Sequence, residues 1–301
     1  MSKRTWALLA ATFVSIIYGV TFTVAKDVMP KYVEPFGFIT MRVGGSMLLF
    51  WVVSFFEPLE RMRTGKAKEK IALEDFPRIV AAALFGVALN MLTFFKGLSY
   101  TSPIMGAVLM VTTPMIVLVL SAIIMKERMQ KRKIVGIILG LAGTITLILY
   151  GKSMVNAPNA TLGNLLVFIN AVSYGFYLII VKKLLDKYNA FTFVKWIYTF
   201  GFIMVLPFGW SEFDAINWII IPSDIFWKIG FVVVFSTFLT YLLNLISMRQ
   251  LKPTTVAVFI YLQPLFATVF AVSLGKDELS LVKLLSAVLI FTGVYLVTQK
   301  K

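Results

Sequence analysis

Along this chain the apolar residues come in long, nearly unbroken runs, and the charges collect in the short segments between them. Ten runs stand out, at approximately 6–25, 36–56, 78–97, 103–125, 134–150, 162–181, 191–210, 227–247, 254–274 and 281–298. Each is close to the roughly 20 residues that carry a helix across a hydrocarbon layer of about 30 Å. Lipid offers the backbone no water, so only helices and closed barrels span it, and barrel strands alternate apolar with polar positions. These runs do not alternate. The pattern predicts an all-α, polytopic membrane protein with ten transmembrane helices.

Composition sharpens that picture. Hydrophobic residues make up 59% of the chain and charged residues 14%, against about a quarter charged in ordinary soluble domains. Mean hydropathy is +0.88. The first run follows Lys3 and Arg4 like a secretory signal, but it lacks a small-residue cleavage site and is long enough to span, so it is expected to stay. There is no Cys and no His, which removes disulfides, thiol chemistry, His-ligated metals and the usual near-neutral proton acceptor. No metal, no cofactor and no catalytic residue is expected.

The net charge of +15 would suit a nucleic-acid binder if the basic residues formed one patch. They do not. With a cytoplasmic N-terminus, 20 of the 29 lie at the termini and in the even-numbered loops, among them Arg61, Arg78, Lys131, Lys187 and Lys252. Seven lie on the opposite face, and Arg42 and Lys195 lie within runs. That asymmetry follows the positive-inside rule and predicts a multi-pass protein of the cell (cytoplasmic, inner) membrane with both termini cytoplasmic. The expected partners are the lipid bilayer and a small-molecule substrate, with no nucleic acid, and a monomer is expected to suffice.

The sequence also repeats. TSPIMGAVLMVTTP (101–114) and LKPTTVAVFIYLQP (251–264) both carry two prolines eleven residues apart. A shift of 150 puts Pro103 on Pro253, Pro114 on Pro264, Gly143 on Gly293 and Glu127 on Asp277. Earlier in the halves a shift of about 156 puts Tyr18 on Tyr174, Lys26 on Lys182 and Lys31 on Lys187. The expected division is 1–152 for the first repeat, 153–161 for an outer linker and 162–301 for the second. Five spans are an odd number, so the second copy should enter the membrane from the other side, an inverted repeat typical of secondary transporters.

IIYGVTFTVAK in the first run, FITMRVGGSMLLF in the second, FFKGLSYTSPIMGAVLMVTTP, the acidic KER after the fourth and GIILGLAG in the fifth appear in an order partly echoed in the second half. In these pieces the chain resembles the EamA-like permeases of the drug/metabolite transporter superfamily, nearly end to end. The resemblance implies two five-helix halves, export of small metabolites such as amino acids, and a substrate cavity bordered by helices 1, 3, 4, 6, 8 and 9. The acidic family position of the second half falls on Asp277 or Glu278.

The residues suggest where such a cavity is lined. Pro114 and Pro264, near the middle of their runs, should free the carbonyls of Met110 and Ile260, unless Thr112, Thr113 or Tyr261 repairs the kink. Thr237, Tyr241, Asn244 and Met248 follow helical spacing along one stripe of the eighth run. Shorter stripes hold Asn170, Tyr174 and Tyr177 in the sixth, Tyr18 with Thr21 in the first, and Asn90 with Phe94 in the third. The substrate-binding candidates are these aromatic and polar residues together with Arg42, Thr113, Pro114, Tyr261, Gln263 and Pro264. Interhelical hydrogen bonding is the competing role, at about 0.6 kcal/mol per bond. Arg42, about two turns into the second run, either pairs with a substrate carboxylate or freed carbonyls or is structural. Lys96 and Lys195 should snorkel to the headgroups. Glu127, Asp277 and Glu278 are gate or anchor candidates. Gly136, Gly140 and Gly143, with Ser286 and Gly293, should form a close helix contact.

No Asp or Glu lies in the middle of a run, so a buried carboxylate relay has no carrier and a cationic substrate no counter-anion. The expectation is a secondary transporter, an exporter of amino acids or similar zwitterionic or amphipathic compounds, working by alternating access. A lipid-like substrate moved by flipping is the alternative within that class. A membrane enzyme or receptor would need a reactive or signalling constellation, and the residues offer none.

Overall fold

The computed structural model describes residues 2–29, 31–64, 69–100, 109–128, 130–149, 159–273 and 280–299. Among them the chain forms ten helical rods and no strand. The rods are α1 (Lys3–Val28), α2 (Pro35–Thr64), α3 (Phe76–Ala83 continuing to Tyr100), α4 (Thr113–Ile124), α5 (Lys131–Leu149), α6 (Ala160–Leu185), α7 (Ala190–Asp214), α8 (Ser223–Val233 continuing to Gln250), α9 (Pro253–Val258 continuing to Ser273) and α10 (Leu281–Thr298). Seven stretches are long and apolar enough to cross a membrane, while Thr113–Ile124 and Leu284–Thr298 are apolar but shorter. The first part of the fourth run lies outside the described residues.

Short local signals set the ends. Ser2 caps α1 by accepting from the Thr5 amide at 3.1 Å, and Asn159 caps α6 by accepting from the Leu162 amide at 3.2 Å. Such side chains replace the intrahelical acceptors that a first turn lacks. At α2 the cap comes from another helix: one carboxylate oxygen of Glu212, at the end of α7, accepts from the Phe36 and Gly37 amides at 2.6 and 2.9 Å. A carboxylate there also complements the positive end of the helix dipole.

Contacts between helix ends sort the bundle into two faces. At the face bearing Lys3, Arg4 donates to the Thr298 carbonyl, Arg132 binds the side chain and carbonyl of Gln299, and Lys182 donates to the Met248 carbonyl at 2.8 Å. Asp75, before α3, accepts from Lys187 and Tyr188 after α6 at 3.0 and 2.7 Å. At the opposite face Lys228 pairs with Asp27 at 2.8 Å, and the Asn159 amide donates to the Tyr100 carbonyl at 3.2 Å.

Small residues set the closest packing. On the antiparallel pair α5 and α10, a Cβ on Gly293 would lie 2.5 Å from the Gly136 carbonyl oxygen, and one on Gly143 would lie 2.9 Å from that of Ser286. Helices without a hydrophobic drive between them associate through such backbone approach. Large apolar side chains such as Phe13, Leu48, Ile123, Trp227 and Val288 point outward, as suits a surface solvated by lipid.

Lys195 bridges two helices. Its ammonium donates to Ser54 of α2 and lies 4.9 Å from the Trp51 ring centroid, tying α7 to α2.

Candidate functional site

α3 and α8 each contain one π-helical stretch, Leu84–Ala88 and Val234–Leu239, beginning 150 positions apart. Such a bulge releases carbonyls from the i→i+4 ladder and frequently marks a functional site. Hydroxyls meet them here. The Phe85 carbonyl accepts from Ser173 of α6 at 2.6 Å and the Gly86 carbonyl from Tyr241 of α8 at 2.7 Å. In α8 the Val232 carbonyl accepts from Thr237 at 2.8 Å and the Val233 carbonyl from Ser46 of α2 at 3.2 Å. Gly86 cannot be larger, since a Cβ there would lie 2.1 Å from Cδ2 of Tyr177.

Around these bulges the tyrosines converge. The rings of Tyr174 and Tyr177 are 5.9 Å apart, those of Tyr177 and Tyr241 6.0 Å, and those of Tyr241 and Tyr198 5.1 Å. Tyr18 of α1 lies beside Thr240 and within electrostatic reach of Arg42. Arg42 is buried, with 7% of its surface exposed. Its Nε donates to the Thr237 hydroxyl at 3.1 Å. Its guanidinium lies over the Phe38 and Phe95 rings, 5.9 and 5.7 Å from their centroids. Stacking on aromatic faces and a fork of donors matched to carboxylates are properties of Arg that Lys lacks.

Several polar atoms of this cluster have no hydrogen-bond partner among the described residues: the Tyr177 and Tyr198 hydroxyls, Oδ1 of Asn170 and the Ser236 hydroxyl. Leaving a buried polar atom unpaired costs about 1–3 kcal/mol. The cluster therefore offers a guanidinium, several hydroxyls and an amide oxygen to a polar guest. Asn170 also donates to the Asn90 carbonyl at 2.7 Å, joining α6 to α3, while Phe94 packs edge-on against Phe95 at 5.3 Å.

The two prolines sit differently from the mid-helix expectation. Pro114 is in the first turn of α4, after a turn at 111–112. Pro264 is in the first turn of the second segment of α9 (Leu262–Ser273), after a 3-10 turn at Phe259–Tyr261. Proline is tolerated there because a first turn needs no amide donor. The Met110 carbonyl is not left open, since the Thr113 hydroxyl donates to it at 2.6 Å. The Tyr261 ring packs onto α5, where a Cβ on Gly140 would lie 2.3 Å from its Cδ2. Gln263 is half-buried, its carbonyl close to Gly19 of α1. Asn244 and Met248 are buried in α8.

Glu127 bridges helix ends at the Lys3 face. Lys126 adopts a left-handed conformation, φ 53°, usually left to glycine at a helix C-terminus. The chain then turns so that the Glu127 amide donates to the Ser121 carbonyl at 3.1 Å. Its carboxylate pairs with Lys133 of α5, lies 3.4 Å from Lys252 just before α9, and accepts from Thr254 of α9 at 3.4 Å. The end of α4 and the start of α9 are thereby latched. Asp277 and Glu278 lie outside the described residues.

The structure thus gathers Tyr18, Arg42, Tyr174, Tyr177, Thr237 and Tyr241 into one cluster and adds three residues absent from the sequence-based set, Tyr198, Ser173 and Ser46. A signal for Tyr198 existed: the shift of 156 that carries Tyr18 onto Tyr174 carries Arg42 onto Tyr198.

Comparison with known proteins gives a consistent result. The profile of the EamA-like transporter family matches residues 5–149 and again 161–299. An uncharacterized transporter of Archaeoglobus fulgidus is 27% identical over 298 residues, covering 99% of this chain and 100% of that one. The uncharacterized transporter YvbV of Bacillus subtilis is 27% identical over 304 residues, covering 100% and 93%. A WAT1-related protein of Arabidopsis thaliana is 26% identical over 247 residues, covering 72% and 66%. A crystal structure superposes with a TM-score of 0.77 at 16% identity, covering 96% of this chain and 95% of that one, a likeness of fold.

Proposed function

Because the chain belongs to the EamA-like transporter family, we propose that it is a secondary transporter whose substrate occupies the cluster around Arg42, Tyr198 and Tyr241. The substrate class is amino acids or similar zwitterionic or amphipathic compounds, moved outward by facilitated diffusion or exchange. The observation that carries this reading is Arg42: a guanidinium at membrane depth, spending one donor on Thr237 amid unpaired hydroxyls. A charge placed there costs about 2.5–3.5 kcal/mol on insertion scales and is ordinarily functional. A substrate carboxylate is a fitting partner for its remaining donors.

Alternating access supplies the cycle, with α3 and α4 rocking against α8 and α9. Glu127 is the latch of the Lys3 face, which the distribution of basic residues makes cytoplasmic in the cell membrane. Two five-helix repeats, 1–152 and 162–301, of opposite orientation underlie the motion. The reading is supported by the antiparallel α5–α10 pair, the contact of the α2 start with the α7 end, and π-bulges and helix breaks that recur 150 positions apart.

The test is counterflow. Liposomes containing only this protein and loaded with unlabelled solute should accumulate the labelled form of at least one member of an amino-acid, nucleoside and sugar panel. No accumulation for any member would reject the proposal.

A further inference from the structure

Away from the tyrosine cluster, at the face opposite Lys3, lies a partly open cavity of about 150 Å³ lined by Glu34, Pro35, Phe36, Phe95, Lys96 and Glu212. It is built by the start of α2 and the ends of α3 and α7. Both signs of charge converge on it. The Glu34 carboxylate makes no bond to another described residue, and Glu212 spends only Oε2 on the α2 amides, leaving Oε1. The Lys96 ammonium lies over the Phe36 and Tyr100 rings, 5.6 and 4.9 Å from their centroids. The same Phe95 that walls the cavity lies 5.7 Å from the Arg42 guanidinium, so this residue touches both the cavity and the buried cluster.

The geometry points to a second solute site in this cavity, an antechamber that takes small zwitterions carrying an ammonium and a carboxylate, in series with Arg42 through Phe95. This rests on the transport reading for its purpose, though not for its occupancy. A lone anion would meet two carboxylates and a lone cation would leave Lys96 facing a like charge, whereas a zwitterion gives the groups of both signs an opposite partner. Size agrees: an engineered cavity of about 150 Å³ holds benzene, roughly six heavy atoms, as many as L-alanine has. Helices 2 and 7, outside the cavity border implied by the family resemblance, supply four of the six walls.

The chain has no cysteine, so a single one reports on the cavity alone. Pro35→Cys, with Phe36→Cys as a second reporter, is reacted with a thiol reagent in the purified full-length protein. L-Alanine at about ten times its half-protecting concentration should slow labelling about tenfold, since only the vacant fraction reacts. Alaninamide and propionate, each lacking one charge, should protect far less. Glu34→Gln and Lys96→Gln should each raise the half-protecting concentration about tenfold, as loss of a charge-assisted contact does, whereas Asp224→Asn on the same face should not change it. Labelling indifferent to L-alanine at both reporters, equal protection by the two analogues, or protection unchanged in both charge variants would overturn the inference. Counterflow measured separately on the protein without reporters keeps the two readings apart, because protection without flux would reject transport and leave the antechamber standing.

Discussion

Arg42 and Thr237 join α2 to the π-bulge of α8 through a single hydrogen bond of 3.1 Å. Thr237 in turn donates to the Val232 carbonyl five residues back. The guanidinium is thereby tied to the segment where α8 departs from regular geometry. If substrate draws on this guanidinium, the bond is where occupancy is felt by the helix.

Arg42→Lys should keep the charge but lose the fork and the planar cation over the Phe38 and Phe95 rings. Hydrogen bonds to charged groups are worth about 1.5–3 kcal/mol, so counterflow should fall roughly ten- to a hundredfold. Thr237→Val should cost only a few-fold, because Arg42 keeps its other donors. Initial rates in proteoliposomes at matched protein content check both.

Gly86→Ala should destabilise the protein by about 1–3 kcal/mol, the usual cost of overpacking, because the new methyl would meet the Tyr177 ring. A methyl on Gly230 would meet nothing within 4 Å, and the residue lies in a helix, so Gly230→Ala should be neutral or stabilising by up to about 1 kcal/mol. Thermal unfolding in detergent distinguishes the two, and equal midpoints would contradict the packing described for the α3 bulge.

Glu127→Gln should loosen the Lys3 face. The carboxylate holds Lys133, Lys252 and Thr254 together, and an amide would weaken all three contacts. A cysteine placed at Thr255, buried at 5% exposure, should react with a thiol reagent several-fold faster in the Glu127→Gln background. An unchanged rate would remove Glu127 from the latch.

Reporter fusions test the orientation. Fusions at residues 65 and 187 should report cytoplasm and one at 156 the outside, as the positive-inside pattern requires. The opposite pattern would invert the gating scheme.

The ten runs were legible in the sequence because spanning lipid demands length and apolarity together, and the described helix ends fall within about four residues of them except at α2, which continues eight residues past its run to Thr64. The helix breaks were legible through Pro114 and Pro264, though not that each proline sits in the first turn of the helical segment after the break. The π-bulges carry no comparable local signal: LFGVA and VFSTFL contain no proline, and the bulges are held by Ser173, Tyr241 and Ser46 from other helices. Tyr198 escaped although its offset from Arg42 repeats that of Tyr174 from Tyr18. Tyr261 takes a place the sequence did not suggest, because Gly140 acts as a socket only once α5 lies beside α9. Glu34, Lys96 and Glu212 are far apart in the chain, and only helix packing brings them to one cavity.

The central claim is that solute crosses the membrane by way of Arg42. Its most direct test is counterflow of labelled amino acids into liposomes carrying the wild type or Arg42→Leu, compared at equal reconstituted protein and with folding checked by thermal unfolding. The account predicts accumulation without any imposed ion gradient in the wild type and its loss in a folded Arg42→Leu protein. Accumulation equal in both, or none in the wild type across the panel, would contradict it.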